Sequence, residues 1–112
     1  MIMVIFEVVI NPEHNHRYFE LAEILREELE RTDGFISIER FQSLSNEEKY
    51  VSLSFWRDQN AVESWYQKPE HQNAQREGRD RVFLDYRIRV GNVFRDYDMS
   101  QGRNNSKNDT YS

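Results

Sequence analysis

Between Lys49 and Arg57 the side chains alternate with a strict period of two. Val51, Leu53 and Phe55 fall on one side, and Tyr50, Ser52, Ser54 and Trp56 fall on the other. A helix cannot sort those residues onto separate faces. The segment is therefore a β-strand in the middle of the chain, and the flanking sequence has to build a sheet around it. Phe35 to Leu44 is a second strand-like run, joined to the first by the turn-forming Ser45-Asn46-Glu47-Glu48, and the pair reads as a hairpin. In this second run Phe35, Ser37, Glu39 and Phe41 alternate with Ile36, Ile38 and Arg40, so neither face is cleanly polar.

Upstream, Met1 to Ile10 is rich in Val and Ile, too short for most helices, and reads as a strand buried on both faces. Asn11-Pro12-Glu13 carries the chemistry of a helix start: a side-chain cap, a preset φ and an acid at the positive end of the dipole. Tyr18, Leu21, Ala22, Leu25 and Leu29 then form an apolar stripe opposite Glu20, Glu23, Glu27 and Glu30. Thr32-Asp33-Gly34 stops that helix, with Gly34 free to take a positive φ. Downstream, Asp58 caps a short helix carrying Ala61, Val62 and Trp65, and Lys68-Pro69 breaks it. Pro69 opens a further helical segment through about Arg81. Val82 to Tyr97 reads as the last strand, with Gly91 marking a bulge.

The order is β-α-β-β-α-β with the second helix in two pieces. That predicts an α+β, ferredoxin-like fold with an antiparallel sheet. Helices on one face leave the other uncovered, and Trp56, Tyr50, Tyr86 and Phe35 or Phe41 all need burial. A homodimer through the sheet face is the expected cover.

The 112 residues support one domain. It is placed at 1–98, with 99–112 a polar C-terminal tail whose last thirteen residues hold a single apolar side chain, Tyr111. Fifteen Lys and Arg against twenty Asp and Glu give a net charge of −5, which argues against nucleic-acid or anionic-membrane binding. No apolar run approaches the ~20 residues of a membrane span. The apolar start is interrupted by Glu7 and lacks the basic flank of a signal peptide. Cysteine is absent, which removes thiol catalysis, disulfides and Cys-ligated zinc. A cytoplasmic domain is expected.

Gly34-Phe35, the strand Val51-Ser52-Leu53-Ser54-Phe55-Trp56, Ala61-Val62, Trp65, Pro69-Glu70-His71, Ala74-Gln75, Gly78-Arg79 and Asp85-Tyr86-Arg87-Ile88-Arg89-Val90 follow one another in a recognisable order and spacing. In these residues the chain resembles the antibiotic biosynthesis monooxygenase (ABM) family of dimeric α+β barrels. The resemblance implies a cofactor-free oxygenase that turns a small aromatic or polyketide-like molecule into a quinone with O₂, using neither metal nor flavin. It places Trp65 and His71 at the reacting centre: the oxygenases carry a pocket Trp on the broken helix and a polar ring six residues on. They use Asn four residues before that Trp, where this chain has Ala61, with Asn60 one place earlier. Trp56, Gln75 and Tyr86 are the expected pocket walls.

Two other readings stand beside this one. The family's heme degraders carry an axial His about ten residues after the helix Trp and an Asn in the first strand; here those places hold Gln75 and Glu7. A non-catalytic dimeric binding module is the third. Glu7 is itself unexpected among Phe6, Val8 and Val9. It is a general base if buried alone, and an ion pair if Arg87 or Arg89 reaches it. Arg76 or Arg79 is placed to hold an acidic or enolate oxygen of a substrate. His14-Asn15-His16, with Glu13 and Glu20, is read as a solvated face rather than a metal site, because residues two apart on a helix diverge.

Overall fold

A computed structural model describes residues 1–101. From residue 102 on, the expected polar tail lies outside the described residues. The elements are β1 (Ile2–Ile10), α1 (Asn15–Glu30), β2 (Phe35–Gln42), β3 (Lys49–Trp56), α2 (Gln59–Tyr66), α3 (Pro69–Glu77) and β4 (Phe83–Asn92). The four strands form one sheet in the order β2-β3-β1-β4, and every neighbouring pair is antiparallel. This is the ferredoxin-like arrangement that the element order predicts.

Capping chemistry sets the helix boundaries. The Asn11 side chain accepts from the Glu13 N–H at 3.1 Å. Pro12–His14 then make a 3₁₀ turn before the α-helix proper begins at Asn15, about three residues later than the Asn-Pro start suggests. Gly34 takes φ +88°, and a Cβ there would stand 2.6 Å from the Cβ of Ala61. Asp58 accepts from the Ala61 N–H at 2.9 Å and starts α2. The helix opened by Pro69 ends at Glu77, not near Arg81, and Gly78–Val82 form a wider π turn closed by the Phe83 N–H on the Gly78 carbonyl.

Bulges correct the strand phases. Phe35 pairs with Trp56 and Ser37 with Phe55, so Ile36 is the extra residue. The slip explains why β2 has no clean alternation in the sequence: Phe35 faces the helices, and after the bulge Ile38, Arg40 and Gln42 do. In β4 the irregularity falls at Leu84, between the Phe83–Ile10 and Asp85–Val9 pairs. Gly91 instead stands in regular register opposite Met3. The ladder ends with Asn92 opposite Ile2 and the Val93 N–H donating to the Met1 carbonyl at 3.0 Å, short of the Tyr97 limit expected for this strand.

Even-numbered β1 residues face the helices, and all of them except half-buried Phe6 are buried; odd-numbered ones are half-buried on the open face. The strand is thus two-sided in character, not buried on both faces. Trp56 is 2% exposed and lies with Tyr50 on the helix side of β3. The open face carries Met3, Ile5, Val9, Val51, Leu53, Phe55 and Phe41, so it is these side chains, and not Trp56 or Tyr50, that leave an uncovered apolar field.

The core on the helix side is in two parts. Ile2, Val4, Leu29, Trp56, Ala61, Val62 and Trp65 pack as one cluster. Val8, Ile10, Tyr18, Leu21 and Val82 pack as the other. The cavity described next is lined by members of both.

Candidate functional site

Antiparallel register aligns residues into rows across the sheet. On the helix side one row reads Arg40, Ser52, Phe6, Ile88, and the next reads Ile38, Ser54, Val4, Val90. The middle of both rows is serine, too small to reach the helices above. The facing positions Ala22 on α1 and Ala74 on α3 are also small. Large neighbours hold the layers apart while these four positions leave space. The result is a cavity of about 120 Å³ between sheet and helices, open to the surface and lined mainly by apolar and aromatic side chains.

Its aromatic wall is continuous. Phe35 packs edge-on against Trp56 at 5.3 Å between ring centroids, Trp56 meets Trp65 at 6.3 Å, and Trp65 meets the His71 ring at 5.2 Å. Tyr66 covers the imidazole from another side at 5.1 Å. Local sequence explains this grouping. Trp65 and Tyr66 end α2, the Lys68-Pro69 break turns the chain, and the first turn of α3 brings His71 back over both rings.

Polar atoms in this wall are few. Trp56 Nε1 donates to Ser54 Oγ at 2.9 Å. His71 Nδ1 and Tyr66 Oη are buried and have no partner. Burial pushes the His71 imidazole below its ordinary 6.5, with the Tyr66 backbone carbonyl opposing the change, so the ring is neutral at neutral pH. Burial also raises the Tyr66 phenol, and the Glu63 charge adds to the effect. The site therefore presents a neutral imidazole and a protonated phenol in a largely apolar space. That pair can accept a proton and donate a hydrogen bond without bringing its own charge.

Four residues singled out in the sequence line this cavity together: Trp56, Trp65, His71 and Gln75. Three others do not. Glu7 points to the opposite face of the sheet, because odd-numbered β1 residues face away from the helices. There its carboxylate is paired with Arg89 and with Lys49, the latter at 3.1 Å. Hydrogen bonds from Lys49 and then Arg89 hold it below the usual carboxylate range, so it is an ionised partner and not a base. Tyr86 packs on Phe6 and Phe83, with centroids 6.0 and 6.1 Å away, without lining the cavity. Arg76 is exposed on α3. The cavity residues that sequence reasoning passes over are Tyr18, Arg40 and Tyr66. Tyr66 was legible as the neighbour of Trp65 at a helix end. Arg40 was legible only with the Ile36 bulge in hand.

Near the chain start, His14 and His16 form no metal site. Among the described residues no three His, Asp or Glu side chains gather as one would require. Among the same residues no helix is long and apolar enough to cross a membrane.

A sheet roofed on one side, with an aromatic-walled cavity beneath the roof, defines an α+β domain with an internal cavity. The sequence pattern of the family "Antibiotic biosynthesis monooxygenase" matches residues 1–77, and the chain belongs to that family. It is 44% identical over 93 residues to the Jasmonate monooxygenase ABM of Pyricularia oryzae; the match takes in 83% of this chain but spans only 43% of that protein's length. It is 28% identical over 86 residues to the uncharacterized protein YqjZ of Bacillus subtilis, covering 77% of this chain and 74% of that one. Among solved structures, a candidate antibiotic biosynthesis monooxygenase from Deinococcus radiodurans superposes with a TM-score of 0.80 at 14% identity, covering 88% of this chain and 98% of that one. A likeness at that identity speaks for the fold alone.

Proposed function

We propose that the chain is a monooxygenase that oxidises a small, ring-bearing, largely apolar molecule with O₂ inside this cavity. One observation carries the reading: a neutral imidazole, packed against Trp65 and Tyr66, lines an apolar and aromatic cavity. A neutral imidazole at the edge of an apolar cavity is suited to take a proton from a bound substrate. Membership of a monooxygenase family, and a relative named as a monooxygenase, support the same class.

The proposed chemistry is that of an activated methylene or phenol. His71 takes a proton from the substrate, and the Tyr66 hydroxyl donates to the oxygen on which the negative charge settles. The carbanion passes one electron to O₂, and the two radicals combine as a substrate hydroperoxide. Loss of water from that peroxide leaves a carbonyl. In sum a CH₂ and O₂ become a C=O and H₂O, and the proton held by His71 leaves with the water. The substrate is the reductant, so this sequence of steps draws on no cofactor. The apolar walls exclude bulk water from the anion.

The reading includes a second copy of the chain on the open sheet face. Met3, Ile5, Val51, Leu53 and Phe55 form an apolar field there, bordered by the Glu7–Lys49–Arg89 ion cluster, and two-fold pairing of the same patch is the simplest cover. Leu53→Glu would place a charge in that field. Sedimentation equilibrium is expected to show a dimer for the parent and a monomer for the variant, and a parent that sediments as a monomer refutes the pairing.

Oxygen consumption by the purified protein tests the activity, with a panel of anthrones and hydroquinones and a no-protein control. Uptake above the control is expected. It should fall by roughly 10²–10⁴-fold in His71→Ala, the range ordinarily lost with a general base. Equal uptake in both proteins removes His71 from the chemistry.

A further inference from the structure

Six arginines hold a carboxylate: Arg17, Arg26, Arg31, Arg57, Arg81 and Arg89 each have one within ion-pair distance. Arg40 is different. Among the described residues no carboxylate pairs with it, and it lines the cavity. The Ile36 bulge is what brings it there, by turning Arg40 to the helix side in the row that continues through Ser52, Phe6 and Ile88. Arg40 is exposed, so it stands at the rim, while Trp65 is buried.

The Tyr18 hydroxyl is beside it. Burial raises that phenol, and the Arg40 guanidinium, close enough to hydrogen-bond it, pulls the other way. Both groups line the cavity, and the Tyr18 O–H can donate beside the guanidinium. Two donors and one positive charge thus meet at the rim of a largely apolar space, and among the described residues no carboxylate lines it. A planar guanidinium matches a carboxylate with two parallel hydrogen bonds. A single cation beside apolar walls suits a monoanion and not a phosphate dianion.

We propose that this cavity is built for small monocarboxylates, with the carboxylate on Arg40 and Tyr18 at the rim and the apolar body under Trp65 and His71. The proposal rests on the oxygenase reading and narrows its substrates to anions. It makes Arg40 the residue that sets specificity and leaves proton transfer to His71. A cavity of about 120 Å³ matches a single-ring body.

Both tryptophans of the chain, Trp56 and Trp65, line the cavity, so intrinsic fluorescence reports its occupancy without any turnover. The probes are 3-cyclohexylpropanoate and its primary amide, which share a shape and differ in charge. The acid is expected to bind roughly ten-fold more tightly than the amide, the scale of a charge-assisted hydrogen bond at a partly exposed site. Arg40→Met should abolish the preference by weakening the acid alone, and Arg40→Lys should keep part of it. Added salt should weaken the acid and spare the amide. Equal affinity for both probes, a preference that survives in Arg40→Met, or no response to either probe overturns the proposal. Neutral anthrones tested for oxygen uptake give a separate answer. Uptake without acid preference refutes the carboxylate anchor and keeps the oxygenase. Acid preference with no uptake from any carboxylate or neutral compound refutes the oxygenase and keeps the anchor.

Discussion

Replacing Glu77 by Gln would loosen the roof of the cavity, and its size can be worked from the structure. Glu77 ends α3 and binds Arg17 of α1 through two hydrogen bonds, 2.5 Å from Nε and 2.9 Å from Nη2, while Arg81 adds a third at 3.0 Å. The pair ties the helix carrying His71 and Gln75 to the helix carrying Tyr18 and Ala22. Arg17 first, and Arg81 with it, lower the Glu77 carboxyl from its ordinary 4.5 to about 2, against a smaller opposing effect of burial. A carboxyl depressed that far stabilises the fold by at most ~3 kcal/mol above pH 4.5. The two side chains keep 22% and 34% of their exposure, so solvent screening brings the figure to about 1–2 kcal/mol. The folded-state pKa lies below the unfolded one, so the contribution is complete above pH 4.5 and disappears as the pH falls toward 2. Urea titrations of parent and Glu77→Gln are expected to differ by about 0.5–1 M in midpoint at pH 7. The gap should close steadily between pH 4.5 and the acid limit of folding. Coincident midpoints at pH 7, or a gap that stays constant down to pH 3, would refute the assignment of this pair as the tie between α1 and α3.

Three further outcomes are expected. Because burial holds the His71 imidazole below 6.5, the acid limb of the kcat profile should have its midpoint under 6.5, with activity falling as the pH drops through it; a midpoint above 6.5 contradicts the environment described for the ring. Gly34→Ala forces a Cβ to 2.6 Å from Ala61 at a positive φ, and thermal melting should show a loss of about 2 kcal/mol or more, with unchanged melting counting against that turn geometry. Ala74→Leu pushes three more carbons into the cavity; it should abolish ligand-induced fluorescence change while leaving the melting temperature equal or higher, and retained binding would show that ligands sit elsewhere.

The element order and the broken second helix were legible because each rests on local chemistry: a period of two in β3, caps at Asn11 and Asp58, and the Lys68-Pro69 break; Trp65 and His71 were singled out by the family resemblance. The face assignments were harder to read. Ile36 and Leu84 are inserted into their strands, and nothing local marks either as the extra residue. One missed bulge reverses every later side chain in the strand, which is why Arg40 looked like one member of an ambiguous run and not part of a cavity. Glu7 failed as a pocket residue for a different reason. A carboxylate in an apolar strand looks buried and unusual in one dimension, but its partners Lys49 and Arg89 lie on β3 and β4, and only the register brings them together.

The serines at the centre of the sheet carry the functional argument one step further. A domain that served only to fold would place Val or Leu at 52, a buried position facing a helix layer, whereas Ser54 also serves as acceptor for Trp56 Nε1. Filling the cavity with packed methylenes would bury further apolar surface and stabilise the fold. The same rows that forgo this packing carry Arg40 at one end, and the wall above them carries two polar atoms left without partners, His71 Nδ1 and Tyr66 Oη. A void alone is a packing defect, and an unpartnered polar atom alone is a local cost. Gathered on β2, β3, α2 and α3, they mark the part of the molecule where close packing gives way to a cavity.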